Sequence, residues 1–132
     1  MIKVRVITPN GLYLESDAIQ INACSKDGEF GLLSDHMPMV AMLEISKLEV
    51  VKENNDIKEY ALSGGMLQFK DNKVNILTDS IEGEDEIDIV RAQEAKARAE
   101  KRLQQHESDV NMRRAEIALR KAINRINVKS DK

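Results

Sequence analysis

The chain has 132 residues, enough for one ordinary domain or for one small domain with an appendage. Hydrophobic residues make up 42% and charged residues 33%, and the longest apolar run, residues 39–43, is far shorter than the roughly 20 residues of a membrane-spanning helix. The amino terminus alternates charged and apolar residues without an apolar signal core, so we expect neither membrane insertion nor export. The single cysteine, Cys24, excludes an internal disulfide, and with only two histidines we expect no metal site.

Charge and composition divide the chain near Gly83. Residues 1–84 contain 8 Lys/Arg and 14 Asp/Glu, a balance of −6, whereas residues 85–132 contain 12 and 9, a balance of +3. All the glycines, prolines and aromatic residues lie in the first part. We therefore predict two differently built domains, residues 1–84 and residues 85–132.

The first part has the pattern of short β-strands throughout. Residues 2–6 alternate apolar and charged side chains, as in a half-buried strand. Turn-forming residues such as Ser63-Gly64-Gly65 separate the later runs, which predict strands near residues 11–14, 18–23, 31–33, 40–43, 48–52, 57–62, 66–70 and 73–77. Strands so closely spaced predict an antiparallel β-sandwich or small barrel, and not a parallel sheet with crossover helices.

The second part is rich in helix-forming residues and predicts helices over residues 87–105 and about 110–126. The break at residues 106–109 offers Ser108 or Asp109 as a cap, so the two helices should form an antiparallel hairpin. Their apolar stripes are mostly alanine, which buries little area. We therefore expect a marginally stable hairpin, suited to an arm that folds and extends. The stripe residues are Ala92, Ala95, Ala99 and Leu103 on the first helix and Met112, Ala115, Leu119, Ala122 and Ile126 on the second.

Charged residues at helical spacing predict a binding site where the helix ends meet. Asp88 and Arg91 share one face of the first helix, and Lys121 and Arg125 share one face of the second. Antiparallel pairing would bring these three cations and one carboxylate together, a set that suits a polyphosphate with a base or a sugar hydroxyl. The residues alone also allow an ordinary ion pair between Asp88 and Arg91, with Arg120, Lys121 and Arg125 on a solvated face.

Three motifs occur in order along the chain: GEFGLL at residues 28–33 followed by His36-Met37-Pro38, YALSGG at residues 60–65, and IDIVRA at residues 87–92. This combination resembles the epsilon subunit of bacterial F-type ATP synthases, which is called delta in mitochondria. The similarity extends over essentially the whole chain, although Asp35 stands where the family usually has glycine.

The resemblance implies a non-catalytic rotor subunit at the cytoplasmic face of the cell membrane, peripheral and not inserted. Its β-sandwich would join the γ subunit to the c-ring, and its helical arm would rise toward the catalytic α and β subunits and inhibit ATP hydrolysis. A basic arm suits acidic surfaces of the catalytic hexamer, and an acidic sandwich suits basic loops of the ring. The ring-facing residues would be Glu29, Phe30, Gly31 and His36.

The resemblance also implies ATP as a regulatory ligand of the folded arm, with no required cofactor. Lys121 stands where strong ATP binders of the family have arginine, and it lacks the planar fork that grips phosphate, which favours a lower affinity. The chain has no Walker-type glycine loop. We therefore expect it to sense ATP and not to hydrolyse it. The matching positions are Glu82, Ile87, Asp88, Arg91, Ala92, Arg98, Lys121 and Arg125.

Other classes of function fit the residues less well. A nucleic-acid-binding module would place aromatic residues among its basic residues, but the basic part has none. An enzyme would need a nucleophile with a base and an orienting group, and no such set stands out. The remaining alternative is a free-standing ATP-binding regulator of another complex.

At the ring-facing motif, Glu29 could also be a turn carboxylate and His36 a loop histidine bonded to the backbone.

Overall fold

The computed structural model describes residues 1–105 and 108–130. His106 and Glu107, which belong to the predicted break between the helices, lie outside the described residues. The described residues form β1 (Ile2–Thr8), β2 (Gly11–Ala18), β3 (Gln20–Ser25), β4 (Gly28–Leu33), β5 (Met39–Val51), β6 (Ile57–Lys70), β7 (Lys73–Leu77), β8 (Ile81–Gly83), a 3₁₀ turn (Glu84–Glu86), α1 (Ile89–Gln105) and α2 (Asp109–Ser130).

The strands enclose one apolar core, as the alternation at the amino terminus predicts. In β1, Ile2, Val4 and Val6 are fully buried, whereas Lys3 and Arg5 point outward. Strands β5, β6 and β7 add further fully buried side chains, including Leu48, Leu67, Phe69, Val74 and Ile76. The predicted β-sandwich is therefore confirmed, and it gives the helices a rigid base.

The sheet is not antiparallel throughout. Its strands are hydrogen-bonded in the order β2-β1-β7-β6-β5-β3-β4, with β8 added to β6. Strands β1 and β7 run parallel through residues 3–7 and 73–77. The antiparallel prediction is therefore wrong at this pair. Parallel strands need a long connection between them, and here the chain from β2 to β6 supplies it.

Strands β5 and β6 are each one long strand where the sequence predicts two short ones. Ser63, Gly64 and Gly65 lie inside β6 instead of in a turn. Gly64 and Gly65 have φ angles of 85° and 132°, and a Cβ atom on Gly65 would collide with the backbone oxygen of Leu77. Since β6 pairs with β8 before these glycines and with β7 after them, they mark an exchange of partners and not a reversal of the chain.

The two helices pack against each other, which confirms the predicted hairpin. Their contact buries Ala92 and Ala99 of α1 and Ala115 and Ala122 of α2. The amide of Asn111 donates to Oγ of Ser108 at 3.1 Å, so Ser108 caps α2 as the sequence suggests. Helix α2 continues four residues beyond the predicted end because residues 127–130 contain no helix breaker. No described helix is long and apolar enough to cross a membrane.

Candidate functional site

A polar cleft of about 520 Å³ opens where α1 begins beside β8, the 3₁₀ turn and α2. Its size is in the range of small-molecule sites, which are typically about 300 to 1,000 Å³. Three arginines and four carboxylates surround it, so its charge is nearly balanced. The lining residues are Glu82, Glu86, Asp88, Arg91, Ala92, Glu94, Ala95, Arg98 and Arg125.

Six of the eight residues predicted to bind ATP line this cleft. Two do not. Ile87 is buried beneath it against Ala61 and Val128, where it joins the arm to the sandwich. Lys121, one turn before Arg125 on α2, is partly buried but does not reach the lining. The expected convergence of Asp88, Arg91, Lys121 and Arg125 therefore holds for three of the four residues.

The predicted balance of three cations and one carboxylate is wrong. The three cations are all arginines, since Arg98 takes the place assigned to Lys121, and Glu82, Glu86 and Glu94 join Asp88. The prediction counted only Asp88, Arg91, Lys121 and Arg125, whereas β8, the 3₁₀ turn and α1 each contribute a further acid. Arginine forks bind phosphate oxygens well, and carboxylates accept hydrogen bonds from amino and hydroxyl groups.

Asp88 acts as the cap of α1. Its Oδ1 accepts hydrogen bonds from the backbone amides of Val90 at 3.0 Å and Arg91 at 3.2 Å. Among the described residues, Asp88 forms no ion pair with the Arg91 side chain, so the simple i,i+3 alternative is wrong. The Asp88 carboxylate instead fixes where α1 starts, and Arg91 lines the cleft.

Arg125 ties the arm to the sandwich across the cleft. Its Nε donates to Oε1 of Glu82 at 2.8 Å, and both side chains are about two-thirds buried, with exposed fractions of 29% and 34%. One turn later, Nζ of Lys129 donates to the backbone oxygen of Glu84 at 3.2 Å. These two contacts hold the carboxyl-terminal end of α2 against the junction between the domains.

The 3₁₀ turn is fixed to the sandwich by a cluster that the sequence reasoning missed. The hydroxyl of Tyr13 donates to Oε1 of Glu86, and the amide of Gly83 reaches both the Tyr13 hydroxyl at 3.0 Å and Glu86 at 2.9 Å. Tyr60 packs edge-on against Tyr13 with ring centroids 6.2 Å apart. Burial, with the bond to Glu86 next, raises the pKa of Tyr13 well above its ordinary value of 10.0. The sequence has only two tyrosines, and both lie in the acidic first domain. No sequence pattern, however, links residue 13 to residue 86.

The residues predicted to face the ring do not share one loop. Glu29, Phe30 and Gly31 belong to β4, an edge strand, whereas His36 follows in the loop after that strand. Glu29 is therefore not a turn carboxylate, because the turn falls earlier, between Ser25 and Gly28. Nδ1 of His36 lies 2.8 Å from the backbone oxygen of Met37, which fits the alternative of a loop histidine bonded to the backbone.

The loop that carries His36 stands in an exposed apolar surface. The exposed side chains there and on the adjoining strands are large: Leu33, Met37, Val40 and Met42. A loop contact between Asp35 and Asn72 fixes its start, since the Asp35 amide donates to Oδ1 of Asn72 at 2.6 Å. Asp35 has a φ of 67°, a backbone conformation that glycine adopts without steric cost. Surfaces of this kind commonly mark protein contacts.

The described residues contain no group of three or more His, Cys, Asp or Glu side chains placed to hold a metal ion. Cys24 lies on β3 and is partly buried.

A β-sandwich followed by a helical hairpin packed on it, with a polar cleft at their junction, defines a two-domain β-plus-α protein as a class. The family model for the ATP synthase delta/epsilon chain β-sandwich domain matches residues 1–84, and the model for the long α-helix domain of the same family matches residues 85–130. The chain belongs to the ATP synthase delta/epsilon chain family, which confirms the resemblance that its three motifs carry.

Curated bacterial relatives described as ATP synthase epsilon chain match nearly end to end. The protein of an Exiguobacterium species is 42% identical over 99% of this chain and 97% of its own length. That of Lacticaseibacillus casei is 40% identical over 98% and 94%, and that of Ligilactobacillus salivarius is 35% identical over 97% and 94%.

Solved structures share the fold. A chain in the OSCP/F1/c-ring structure of the Euglena gracilis mitochondrial ATP synthase superposes with a TM-score of 0.80 at 26% identity, over 90% of this chain and 75% of that one. A chain in the central stalk/c-ring structure of the Tetrahymena thermophila enzyme gives 0.54 at 18% identity, over 64% and 68%. The second likeness concerns the fold alone.

Proposed function

We propose that this chain is a non-catalytic central-stalk subunit of an F-type ATP synthase, peripheral at the cytoplasmic face of the membrane. In this role its sandwich couples the γ subunit to the c-ring, and its helical arm inhibits ATP hydrolysis when raised toward the α and β subunits. The observation that carries the proposal is the docked arm, which meets the sandwich through polar contacts and one small apolar cluster, Ala61, Ile87 and Val128. Because this apolar cluster is small, separating the arm from the sandwich should cost little free energy.

The edge strand β4 and the loop that follows it form the proposed surface toward the ring. Glu29 near the start of β4 offers a carboxylate to basic loops, while Leu33 and Met37 offer apolar area that is 57% and 76% exposed. The Euglena assembly that holds the similar chain also holds a c-ring, which supports this choice of partner. Phe30, Gly31 and His36 complete the proposed surface.

The cleft is the proposed site for ATP as a regulatory ligand. Arg91, Arg98 and Arg125 would hold the phosphate groups, and the acids would accept hydrogen bonds from the base amine or the ribose hydroxyls. Arg125 would exchange Glu82 for phosphate, and the freed Glu82 carboxylate would then take a donor of the nucleotide. Lys121 would take part from one turn away on the same face of α2.

The arrangement makes ATP stabilise the folded arm. The proposed ligand contacts come from both sides of the junction, with Glu82 on the sandwich and Arg91 and Arg125 on the arm. A ligand that binds only the closed cleft shifts the equilibrium by its affinity for that state. Falling ATP would thus release the arm to its inhibitory position.

An NMR titration of the isolated full chain with ATP tests the nucleotide proposal. We expect saturable shifts at the cleft residues, and about tenfold weaker binding in Arg125→Gln because a charge-assisted bond to phosphate is lost. Arg113→Gln makes the same change at an exposed position of α2 away from the cleft and should bind as the wild type does. Absence of shifts at millimolar ATP, or equal loss in both variants, would refute ATP binding at this cleft.

A further inference from the structure

Helix α2 presents a third functional face, distinct from the alanine face toward α1 and from the face toward the cleft. Arg120, Asn124 and Val128 are four residues apart, so they form one stripe along the helix. Each of the three contacts the sandwich: Arg120 through Glu44, Asn124 through backbone oxygens, and Val128 through the small apolar cluster. This stripe therefore faces the sheet along its whole length.

Asn124 makes the central contact. Its Nδ2 donates to the backbone oxygen of Ser46 at 2.8 Å and to that of Leu62 at 3.3 Å. Ser46 and Leu62 stand directly opposite each other on β5 and β6, so one amide group spans the two longest strands of the sheet. A side chain without donors in this place would lose both hydrogen bonds.

Arg120 adds an ion pair one turn nearer the tip of the hairpin. One terminal nitrogen of its guanidinium lies 2.9 Å from Oε2 of Glu44, with exposed fractions of 55% for Arg120 and 30% for Glu44. Exposed ion pairs contribute modestly and weaken with salt, whereas the amide contact of Asn124 is partly buried and should resist salt. The two contacts thus differ in their sensitivity to ionic strength.

None of these groups lines the nucleotide cleft. We infer that Arg120 and Asn124, with Glu44 and the backbone oxygens of Ser46 and Leu62, form an arm latch that holds α2 on the sheet independently of nucleotide. The inference rests on the proposed movement of the arm. It adds to that proposal a second set of contacts, separate from those of Arg125 and Lys129, that favours the folded arm before any ATP binds.

Pulsed spin-label distance measurements on the full chain test the latch. Labels at Glu53→Cys on the sandwich and Lys101→Cys on α1, in a Cys24→Ser background, report the ratio of folded to raised arm from exposed positions. We expect Asn124→Asp to lower this ratio about tenfold, because the donors are lost and a carboxylate meets two oxygens. Asn127→Asp places the same charge on an exposed position of α2 and should leave the ratio unchanged.

The ion pair is tested in the same labelled chain. Arg120→Gln, Glu44→Gln and the double variant should each lower the ratio by about threefold at 0.1 M salt. They should converge with the wild type at 1 M salt, where the Debye length falls from about 10 Å to about 3 Å. Additive losses in the double variant would contradict a direct pair.

The outcomes separate the latch from the nucleotide proposal. If Asn124→Asp differs from Asn127→Asp but ATP changes neither, the latch stands and the nucleotide proposal fails. If ATP restores the folded arm but the two variants behave alike, the latch is overturned. One unchanging distance in every variant would overturn both the latch and the movement of the arm.

Discussion

Asp88 has a structural task and a proposed ligand task, and the two can be separated chemically. Its carboxylate caps α1 through the amides of Val90 and Arg91. Asparagine caps helices about as well as aspartate, but it has no charge. A substitution that abolishes ATP binding could therefore act through the start of the helix alone.

We expect Asp88→Ala to lower the free energy of unfolding by about 1 kcal/mol and Asp88→Asn by much less. Urea denaturation followed by far-UV circular dichroism measures both. If ATP binding needs only the cap, Asp88→Asn will bind as the wild type does; if it needs the charge, Asp88→Asn will bind weakly despite a stable helix. Equal destabilisation by the two substitutions would contradict the capping role.

Gly65 is required by its surroundings as well as by its backbone. We expect Gly65→Ala to destabilise the sandwich by about 3 kcal/mol or more, since its Cβ would collide with the backbone of Leu77. Gly28→Ala is the matched control: its φ of 123° is also positive, but nothing lies within 4 Å of the added carbon. That control should lose only about 1 to 2 kcal/mol of backbone strain. Equal urea midpoints for the two variants would refute the steric account.

At the junction between the domains, two partly buried tyrosines pack beside the 3₁₀ turn. Burial, with Glu86 next, raises the pKa of Tyr13, and burial with the charges of Glu86 and Asp85 raises the pKa of Tyr60. Both phenols are neutral in the folded and the unfolded chain well below pH 10.0. Above it the unfolded chain ionises first, so the unfolding free energy falls as pH rises.

Tyr13→Phe should reduce this alkaline loss of stability without removing it, since Tyr60 still titrates. The variant should also be somewhat less stable at neutral pH because the bond to Glu86 is gone. Urea midpoints measured from neutral pH to above pH 10.0 provide the check. An identical slope in wild type and Tyr13→Phe would show that this phenol does not couple to folding.

The elements that the sequence predicts well are those with a local cause. The helices follow from intrinsic propensity and from the cap at Ser108, and β1 follows from strict alternation. The glycines at 64 and 65 mislead because a positive φ serves a turn and a change of strand partner equally well. Which strands pair in parallel depends on contacts distant in sequence, which local patterns do not encode.

The candidate site was predictable where charges repeat at helical spacing. Asp88, Arg91 and Arg125 follow from that spacing, and Glu82 and Arg98 from family resemblance. Asn124 was missed because its partners are backbone oxygens, which every residue has, so no sequence pattern identifies them. Glu86 was missed because its role depends on a tyrosine 73 residues away.

Across the whole molecule, some of the opposite charges of the two domains pair with each other within the chain. The basic arm meets the acidic sandwich at Arg120 with Glu44 and at Arg125 with Glu82. A raised arm would present the same arginines to a partner instead. The internal ion pairs would thus compete with such partner surfaces, and salt should weaken both kinds of contact.

In the proposed function, the arm, and not the sandwich, restrains ATP hydrolysis. The most direct test compares hydrolysis by an ATP synthase assembled with the full chain and with a chain ending at Asp88, which keeps the Tyr13–Glu86 contact. We predict equal assembly with γ and the c-ring, and several-fold faster hydrolysis by the truncated form at low ATP. Equal hydrolysis by the two correctly assembled complexes would contradict an inhibitory role of the arm.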